Sequence, residues 1–387
     1  AGAKYFVSMG AHCDNFFLWD SKIHKWNAVN YGPHRDVVGE WQKAAKKYDL
    51  PFGVSEHLGY TFTWFQTSHG ADTNGPLAGV PYDGADSNNW DLYHAPAAAD
   101  DTNGLTKNPV WQQEWFNDVT ELVNNYHPDL LYSDSGVPFG NIVGLSLIAD
   151  FYNDNERQHH GKMDAVYTCK QPSEGGWVHD IERGAASGIS PYPWQMDTSI
   201  GDWFYNKNWK YRPLSWVIQS LVDATSKNGN LLLNVVLRPD GTLDPEVRQM
   251  LEDLGRWTAI NGEAIYGSRP WLIYGEGPAR AHGEMFKEDF SYGAQDIRFT
   301  TQGKKLYAIA LGWPDDGKLV IHSLAKSANG KSNRIKRIEL LGHQGKLKFI
   351  QTATDLTVFL PAGQASNVTC SLKIIGSDLM PAANSKN

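Results

Sequence analysis

The first two-thirds of the chain alternates short apolar runs with longer amphipathic runs. The short runs lack polar-apolar alternation, as strands do when both faces of a sheet are buried. We predict six strands, at residues 5–9, 51–55, 129–133, 165–168, 192–197 and 230–236. The longer runs have helical spacing and predict five helices, at residues 36–48, 109–126, 141–156, 213–227 and 244–260. Strands and helices that alternate in this way predict a parallel sheet wrapped by helices.

Two long segments between these elements, residues 56–107 and 169–190, have little periodicity and are rich in Gly, polar and aromatic residues. Loops of this length in a compact domain are usually functional. Polar and aromatic residues follow the strand ends, as in a (β/α)8 barrel. Since a TIM barrel needs eight βα units and we count six, we predict a barrel that lacks its first two units in this chain. We expect a preceding segment, or a partner in a homo-oligomer, to cover the open sheet edge.

The pattern changes after Arg269. Short alternating runs separated by Gly, Pro and Asp predict the strands of an antiparallel β-sandwich. These runs lie at residues 272–274, 296–299, 305–311, 318–323, 335–341, 347–352, 356–360 and 370–375. We therefore predict a catalytic barrel portion at residues 1–269 and a C-terminal β-sandwich domain at residues 270–387.

The composition excludes several classes of function. Charged residues make up 20% of the chain, with 35 Lys+Arg against 43 Asp+Glu and no basic tract, so a nucleic-acid partner is not expected. No apolar run is long enough for a transmembrane helix. Three Cys are too few for a disulfide framework, and no phosphate-binding or dinucleotide-binding glycine motif opens a helix. We expect neither a cofactor nor a metal.

Two carboxylates are the candidates for catalysis. Asp134 ends the strand in Leu-Leu-Tyr-Ser-Asp-Ser-Gly, where a barrel presents its catalytic side chains, although an Asp after a strand is also a common turn or cap residue. Glu182 lies in the loop after the next strand, where the alternative is a surface ion pair with Arg183. Two carboxylates at neighbouring strand ends suit glycoside hydrolysis, with one as nucleophile and the other as acid.

Aromatic residues in the loops suit stacking on sugar rings. The candidates for a sugar cleft are residues 60–64, Trp90, Trp177, Trp194, Trp203 and Trp209. For each of them the alternative is that the side chain is buried in the core. The segments His12-Cys13-Asp14 and Glu56-His57 look like fragments of a metal site. Adjacent residues of a strand point to opposite faces, however, and no H-E-x-x-H or C-x-x-C motif is present.

Several ordered motifs resemble the alpha-L-fucosidases of glycoside hydrolase family 29. Residues 3–30 and 32–40 resemble the family's "AKY…KHHDGF-x-LW-S…WN…GP-R-D-x-VGE" pattern. Residues 128–136 (PDLLYSDSG) are similar to its "PDLLWFDG" strand, residues 229–242 to "GGNLLLNVGP…DGT", and residues 261–269 to "NGEAIYGTR". The resemblance covers nearly the whole chain in order and implies a barrel with a C-terminal sandwich.

The resemblance implies roles for individual residues. Asp134 takes the position of the nucleophile and Glu182 that of the general acid/base, with Glu56 and Asp197 as fallback acids. The implied substrate-binding residues are His12, Cys13, Trp19, Glu56, His57, Lys170, Gln195 and Trp203. Among these, Lys170 stands where many members have a sugar-binding Arg, and Trp203 matches an aromatic residue that packs on the sugar.

The sequence departs from the family pattern at several positions. Cys13 replaces the second His of a pair that contacts fucose, Asn15 replaces a Gly, and Gln195 stands where many members have Glu. The family's first two βα units are absent, together with a His that contacts fucose. These departures leave a binding protein without catalytic activity as one alternative.

The resemblance implies an exo-acting, retaining alpha-L-fucosidase that forms a covalent fucosyl-enzyme intermediate. Its expected substrates are fucosylated oligosaccharides, glycans or fucose-containing polysaccharides, in the periplasm or outside the cell, and no membrane partner is expected. The alternatives are a fucose-binding homologue that does not catalyse and a hydrolase of a related sugar such as an alpha-galactoside.

Overall fold

The computed structural model describes residues 1–327, 332–362 and 368–381. Two compact units divide the chain: residues 3–179 form one, and residues 1–2 with 180–387 form the other. Among the described residues, no helix combines the length and the apolar character needed to span a membrane.

The unit of residues 3–179 carries parallel strands between helices. Its strands are β1 (Phe6–Ala11), β2 (Phe52–Glu56), β3 (Leu130–Ser133) and β4 (Val166–Cys169), each hydrogen-bonded in parallel to the next. Its helices are α1 (Val37–Lys47), α2 (Thr61–Trp64), α3 (Trp90–Tyr93), α4 (Pro109–Tyr126) and α5 (Gly140–Gln158). Single 3-10 turns lie at Leu58–Tyr60, Phe65–His69, Asp83–Ala85 and Ser87–Asn89.

Local sequence signals place the long helices of this unit. The Asp36 carboxylate accepts a hydrogen bond from the Gly39 backbone N–H at 2.9 Å and so caps α1. The Asn108 side chain caps α4 by accepting from the Val110 N–H at 2.9 Å, and Pro109 begins that helix where no N–H is needed. The apolar faces pack on the strands in a core of large side chains, including Phe17, Trp19, Trp115, Phe151 and Tyr167.

The other unit continues the βα pattern. Strand β5 (Val178–Glu182) begins before the boundary, and β6 (Trp194–Ser199), α6 (Leu214–Ser226), β7 (Gly229–Asn234) and α7 (Pro245–Asn261) follow, with a 3-10 turn at Gly262–Ala264. Strands β6 and β7 pair in parallel, with Trp194 opposite Gly229. The parallel strands follow one another in chain order from β1 to β7, as in a βα barrel.

The C-terminal part of this unit consists of two antiparallel sheets. Its strands are β8 (Arg269–Glu276), β9 (Ile297–Gln302), β10 (Lys305–Ala310), β11 (Lys318–Ile321), β12 (Arg334–Leu340), β13 (Lys348–Gln351), β14 (Leu356–Phe359) and β15 (Cys370–Ser377), with a 3-10 turn at His322–Leu324. One sheet has the order β12-β15-β10-β9-β8 and the other β11-β14-β13. Apolar residues of both sheets form a shared core.

The predicted fold class, a βα-barrel portion followed by antiparallel sheets, is confirmed. The predicted strand count was wrong, because β5 lies inside the segment that was assigned to a loop. Its sequence, Val-His-Asp-Ile-Glu, is mostly polar, and only residues 170–177 separate it from β4, too few for a helix. The predicted domain boundary at residue 269 coincides with the first residue of β8 and stays a prediction.

Candidate active site

Asp134 follows the last residue of β3, at the carboxyl end of the sheet. Its backbone N–H donates to the carbonyl oxygen of Glu56 at 2.9 Å, which continues the pairing of β3 with β2 by one residue. The side chain is 25% exposed, so a ligand can reach the carboxylate. Tyr132, two residues earlier, donates its hydroxyl to Asp134 Oδ1 at 2.9 Å.

Two basic side chains contact the Asp134 carboxylate. His57 Nδ1 lies 2.7 Å from Oδ2, and Lys170 Nζ lies 2.8 Å from Oδ1. Burial alone would raise the pKa of Asp134, but the contacts with His57 and Lys170 outweigh it and hold the pKa well below its usual range. Asp134 is therefore ionised at neutral pH, as a carboxylate nucleophile must be.

The end of β1 brings His12 and Cys13 to the same place. The His12 ring lies 4.4 Å from the His57 ring, centroid to centroid, and burial followed by the proximity of His57 lowers the pKa of His12. The Cys13 thiol lies 3.5 Å from the carbonyl oxygen of His57. Burial, with Asp134 and Glu56 nearby, raises the pKa of Cys13 to about 12, so the thiol stays protonated.

A cavity of about 410 Å³ opens above the Asp134 carboxylate. It is lined by His12, Cys13, Tyr60, Thr63, Trp64, Gly104 and Asp134. The Thr63 hydroxyl donates to the carbonyl oxygens of Tyr60 and Gly104, which holds the two loop segments together. The volume is sufficient for a sugar ring, and the lining combines hydroxyl, imidazole and aromatic groups, as sites for small polar ligands do.

Two predicted substrate-binding residues of this unit point elsewhere. The Glu56 side chain is buried, and its Oε2 accepts from the Leu58 N–H at 2.9 Å and from the Trp115 indole at 3.2 Å. Trp19 is 0% exposed, stacks on Phe17 and donates its indole N–H to Glu121. The Trp19 ring is thus enclosed in the core and does not line the cavity, and its role in substrate binding stays a prediction.

In the other unit, Glu182 is the last residue of β5 and is half-buried. Gln195 on β6 is buried and donates its side-chain N–H to Asp180 Oδ1 at 2.8 Å, which places it inside the sheet layer. Asp197 is also buried on β6, and its carbonyl oxygen accepts the Arg183 N–H at 2.7 Å. Of these predicted residues, Glu182 is the more accessible carboxylate.

The residue after Glu182, Arg183, contacts a carboxylate that is distant in sequence and an aromatic ring. Arg183 Nη1 lies 3.4 Å from Glu288 Oε1, and the guanidinium lies 4.7 Å from the centroid of the Trp203 ring. Trp203 is 38% exposed, so part of its ring stays available for contact with a ligand. The cation and the ring hold each other in a fixed orientation at the end of β5.

Sequence reasoning missed two groups of this arrangement. Tyr132 lies two residues before Asp134 and therefore on the same side of the strand, a spacing that could have signalled it. Glu288 had no signal, because it lies more than 100 residues from Arg183 in a segment without a motif. Tyr60 and Trp64, predicted among the aromatic residues of a sugar cleft, do line the cavity, whereas Trp194 is buried.

Comparisons with known proteins agree over most of the chain. The family model described as alpha-L-fucosidase matches residues 1–263, and that of the alpha-L-fucosidase C-terminal domain matches residues 292–375. Human tissue alpha-L-fucosidase is 28% identical over 376 residues, which cover 94% of this chain and 69% of that protein. Human plasma alpha-L-fucosidase is 27% identical over 384 residues, which cover 96% of this chain and 71% of that protein.

Solved structures give the same result. The crystal structure of Thermotoga maritima alpha-fucosidase in complex with fucose matches with a TM-score of 0.71 and 26% sequence identity. The match covers 97% of this chain and 76% of the Thermotoga chain.

Proposed function

The chain belongs to the alpha-L-fucosidase family of glycoside hydrolases, and we propose that it removes terminal alpha-L-fucosyl groups by a retaining mechanism. The observation that carries the proposal is the Asp134 carboxylate, which lines a cavity and is kept ionised by His57 and Lys170. An ionised carboxylate in this setting can attack the anomeric carbon and can stabilise the positive charge that develops on the sugar.

Asp134 is the proposed nucleophile. Attack of its carboxylate on C1 forms the fucosyl-enzyme ester and breaks the bond to the leaving oxygen. The negative charge of Asp134 disappears in this step, while Lys170 and Tyr132 stay within hydrogen-bonding distance of Oδ1. Both groups are then placed to stabilise the carboxylate again when water cleaves the ester.

Glu182 is the proposed general acid/base. In its protonated form it donates to the departing glycosidic oxygen, and as a carboxylate it then activates the water that cleaves the ester. The two fallback acids are weaker candidates, since Glu56 is buried against Trp115 and Asp197 is buried on β6. A retaining enzyme requires the carboxyl groups of Asp134 and Glu182 to lie about 5–5.5 Å apart.

The predicted substrate-binding residues have proposed roles in holding the sugar. The neutral His12 ring, the Lys170 ammonium and His57 offer donors to hydroxyl groups, and Cys13 contributes a neutral thiol. Trp203 offers a partly exposed aromatic face. Because the chain belongs to the alpha-L-fucosidase family, we propose exo action on fucosylated oligosaccharides, glycans or polysaccharides. We also propose a location in the periplasm or outside the cell.

The test is hydrolysis of an aryl alpha-L-fucoside by the wild type, Asp134→Ala and Glu182→Ala. The control is Asp164→Ala, an exposed carboxylate paired with Lys162 before β4. We expect turnover by the wild type and the control, no turnover by Asp134→Ala, and rescue of Glu182→Ala by azide as alpha-fucosyl azide, because azide displaces Asp134 from the beta-linked fucosyl-enzyme with a second inversion. A beta-fucosyl azide product from Glu182→Ala would contradict retention, and full activity of Glu182→Ala would move the acid to another residue.

A further inference from the structure

A 20-residue segment, residues 277–296, connects the neighbouring antiparallel strands β8 and β9. Hairpin connections usually have two to five residues, and longer ones without regular structure are often functional. This segment does not fold back on the C-terminal sheets alone. Its apolar residues Ala281, Phe290 and Tyr292 are buried in the core that also contains Trp216 and Trp257.

The segment contacts the backbone on both sides of the β5 end. The Phe286 N–H donates to the carbonyl oxygen of Glu182 at 2.9 Å, and the Gly283 N–H donates to that of Ala185 at 3.1 Å. A Cβ at Gly184 would lie 2.1 Å from the carbonyl oxygen of Glu284, so only glycine permits this approach. The segment therefore lies directly against the turn that begins with Glu182.

Glu288 anchors this contact with its side chain, which is 6% exposed. Its Oε1 lies 3.4 Å from Arg183 Nη1, its Oε2 lies 3.2 Å from Arg212 Nη2, and the Thr198 hydroxyl donates to both oxygens. Arg183 also donates to the carbonyl oxygen of Gly201 at 3.3 Å. A charged group with this many partners in a shielded place holds them in one arrangement.

The backbone at this contact is strained. Arg183 has a φ of 45° and Phe286 a φ of 57°, both in the left-handed region that bulky residues rarely adopt. Such residues persist only where the surroundings determine their conformation. Here the surroundings include the Glu288 carboxylate on one side and the Trp203 ring on the other.

We propose that Glu288 is a positioning residue, which holds Arg183 and thereby sets the orientation of Glu182 and of the Trp203 ring. The proposal rests on the proposed role of Glu182 as the acid/base. It assigns to residues 277–296 the task of fixing the acid, in addition to connecting two strands. A group that positions an acid matters most where the leaving group needs protonation.

The test compares two fucosides in Glu288→Gln: an aryl fucoside whose phenol leaves without protonation, and a fucosylated disaccharide. We expect kcat for the disaccharide to fall between about tenfold and a hundredfold, because small misplacements of a catalytic group have effects of this size. For the activated aryl fucoside, we expect the rate constant of fucosyl-enzyme formation, measured as the initial burst of phenol release, to stay within about threefold of the wild type. Equal losses on both substrates would overturn the proposal.

Glu263→Gln is the matched control. Glu263 also holds two cations and a hydroxyl, namely Lys305, Lys373 and the Tyr307 hydroxyl. Glu263→Gln should lower the unfolding temperature, and it should leave the ratio of the rates on the two fucosides unchanged. If Glu288→Gln does not fold, Arg212→Gln removes one of the contacts of Glu288 at a side chain that is 37% exposed, and the same substrate difference is expected at smaller size.

A double variant separates this proposal from the proposed function. In the Glu182→Ala background, Glu288→Gln should cause no further loss on the disaccharide, because the group that it positions is gone. Additive losses would contradict action through Glu182. If Glu182→Ala alone keeps full activity, the assignment of the acid fails instead, and with it the basis for the role of Glu288.

Discussion

Two carboxylates of this chain each lie within 2.8 Å of two basic side chains, yet they differ in exposure. The Asp134 side chain is 25% exposed and faces a cavity, whereas the Asp223 side chain is 1% exposed and is sealed in the core. The pKa of both carboxyls is lowered by their basic neighbours against the effect of burial. A carboxylate between two basic side chains therefore occurs once with solvent access and once without it.

The sealed cluster joins α6 to the C-terminal sheet. Lys227 Nζ donates to Asp223 Oδ2 at 2.7 Å and Arg298 Nε donates to Oδ1 at 2.6 Å, and both cations are fully buried. The Tyr274 ring lies 4.8 Å from Lys227 Nζ and 5.3 Å from the Arg298 guanidinium. Both cations contact the single Asp223 carboxylate in a fully buried place, and the cluster selects one packing of the core.

The comparison teaches that solvent exposure, rather than charge, distinguishes a carboxylate that can react with a ligand from one with a structural role. A buried ion pair contributes little net stability, since desolvation offsets the attraction, but breaking it leaves an uncompensated charge. An ion pair with an open side can exchange a neighbour for a substrate. The variants below test whether the two clusters separate activity from stability in this way.

The largest expected effect is on catalysis, in Asp134→Asn. We expect kcat to fall on the order of 10⁴-fold or more, as when the central group of a covalent mechanism is removed. The free energy of unfolding should change little, because Lys170 and His57 keep partial access to water. Turnover of an aryl fucoside and urea unfolding measure the two quantities, and a large loss of stability would contradict the comparison.

The sealed cluster should show the opposite result. Asp223→Asn leaves Lys227 and Arg298 without their anion, and we expect a loss of about 3–5 kcal/mol in the free energy of unfolding at neutral pH. The partly exposed Glu263→Gln should cost about 1 kcal/mol or less. Folded Asp223→Asn at low temperature should keep the KM of the wild type; a loss below 1 kcal/mol would contradict the role of the cluster.

The stability lost in Asp223→Asn should depend on pH. Because the folded pKa of Asp223 is lowered, its ionised form contributes stability above the unfolded pKa of about 3.9, and this contribution is lost as the pH falls through the folded value. The difference in unfolding free energy between wild type and Asp223→Asn should therefore shrink below about pH 4. A difference that stays constant down to pH 2 would assign the effect to packing.

A smaller effect is expected for Lys170→Gln. Without the ammonium, burial is opposed by fewer contacts and the pKa of Asp134 rises toward its ordinary value near 4. The acid limb of kcat/KM should move to higher pH, and kcat/KM at pH 7 should fall between about tenfold and a hundredfold. The wild type should show no acid limb from Asp134 above about pH 4, and an unchanged profile in the variant would argue against this coupling.

The smallest effect is expected for Cys13→Ser. The thiol is protonated at neutral pH and contacts the carbonyl oxygen of His57 at 3.5 Å. Loss of one weak neutral contact should change kcat/KM by about threefold or less. Wild type should also react slowly with iodoacetamide at pH 8, and rapid inactivation would show a thiolate at this position.

Much of the fold could be predicted from the pattern of the chain. Continuous apolar strands such as Leu130–Ser133, helices with caps at Asp36 and Asn108, and all eight C-terminal strands have local causes that a sequence displays. Strand β5 was not predicted because it is rich in polar residues that form hydrogen bonds within the sheet layer, as Asp180 does with the Gln195 amide. Pairing of that kind depends on the neighbouring strand and leaves no local periodicity.

The site was predictable in part. The resemblance to the alpha-L-fucosidase family is confirmed, and the structure brings together His12, Cys13, His57, Lys170 and Asp134. It does not bring Trp19 to the cavity, because the ring packs on Phe17. The roles of Asp134 and Glu182 stay predictions until the variants are measured.

The sequence by itself determined the order of strands and helices, the family, and the positions at strand ends where chemistry is found, because each depends on spacing along the chain. Only the tertiary structure decided which carboxylate is open and which is sealed, and which distant residue holds Arg183. Asp134 and Asp223 carry the same charge and have similar partners, and Glu288 approaches Arg183 across more than 100 residues. Burial and long-range contacts decide these outcomes, and they are properties of the packed chain rather than of any local pattern.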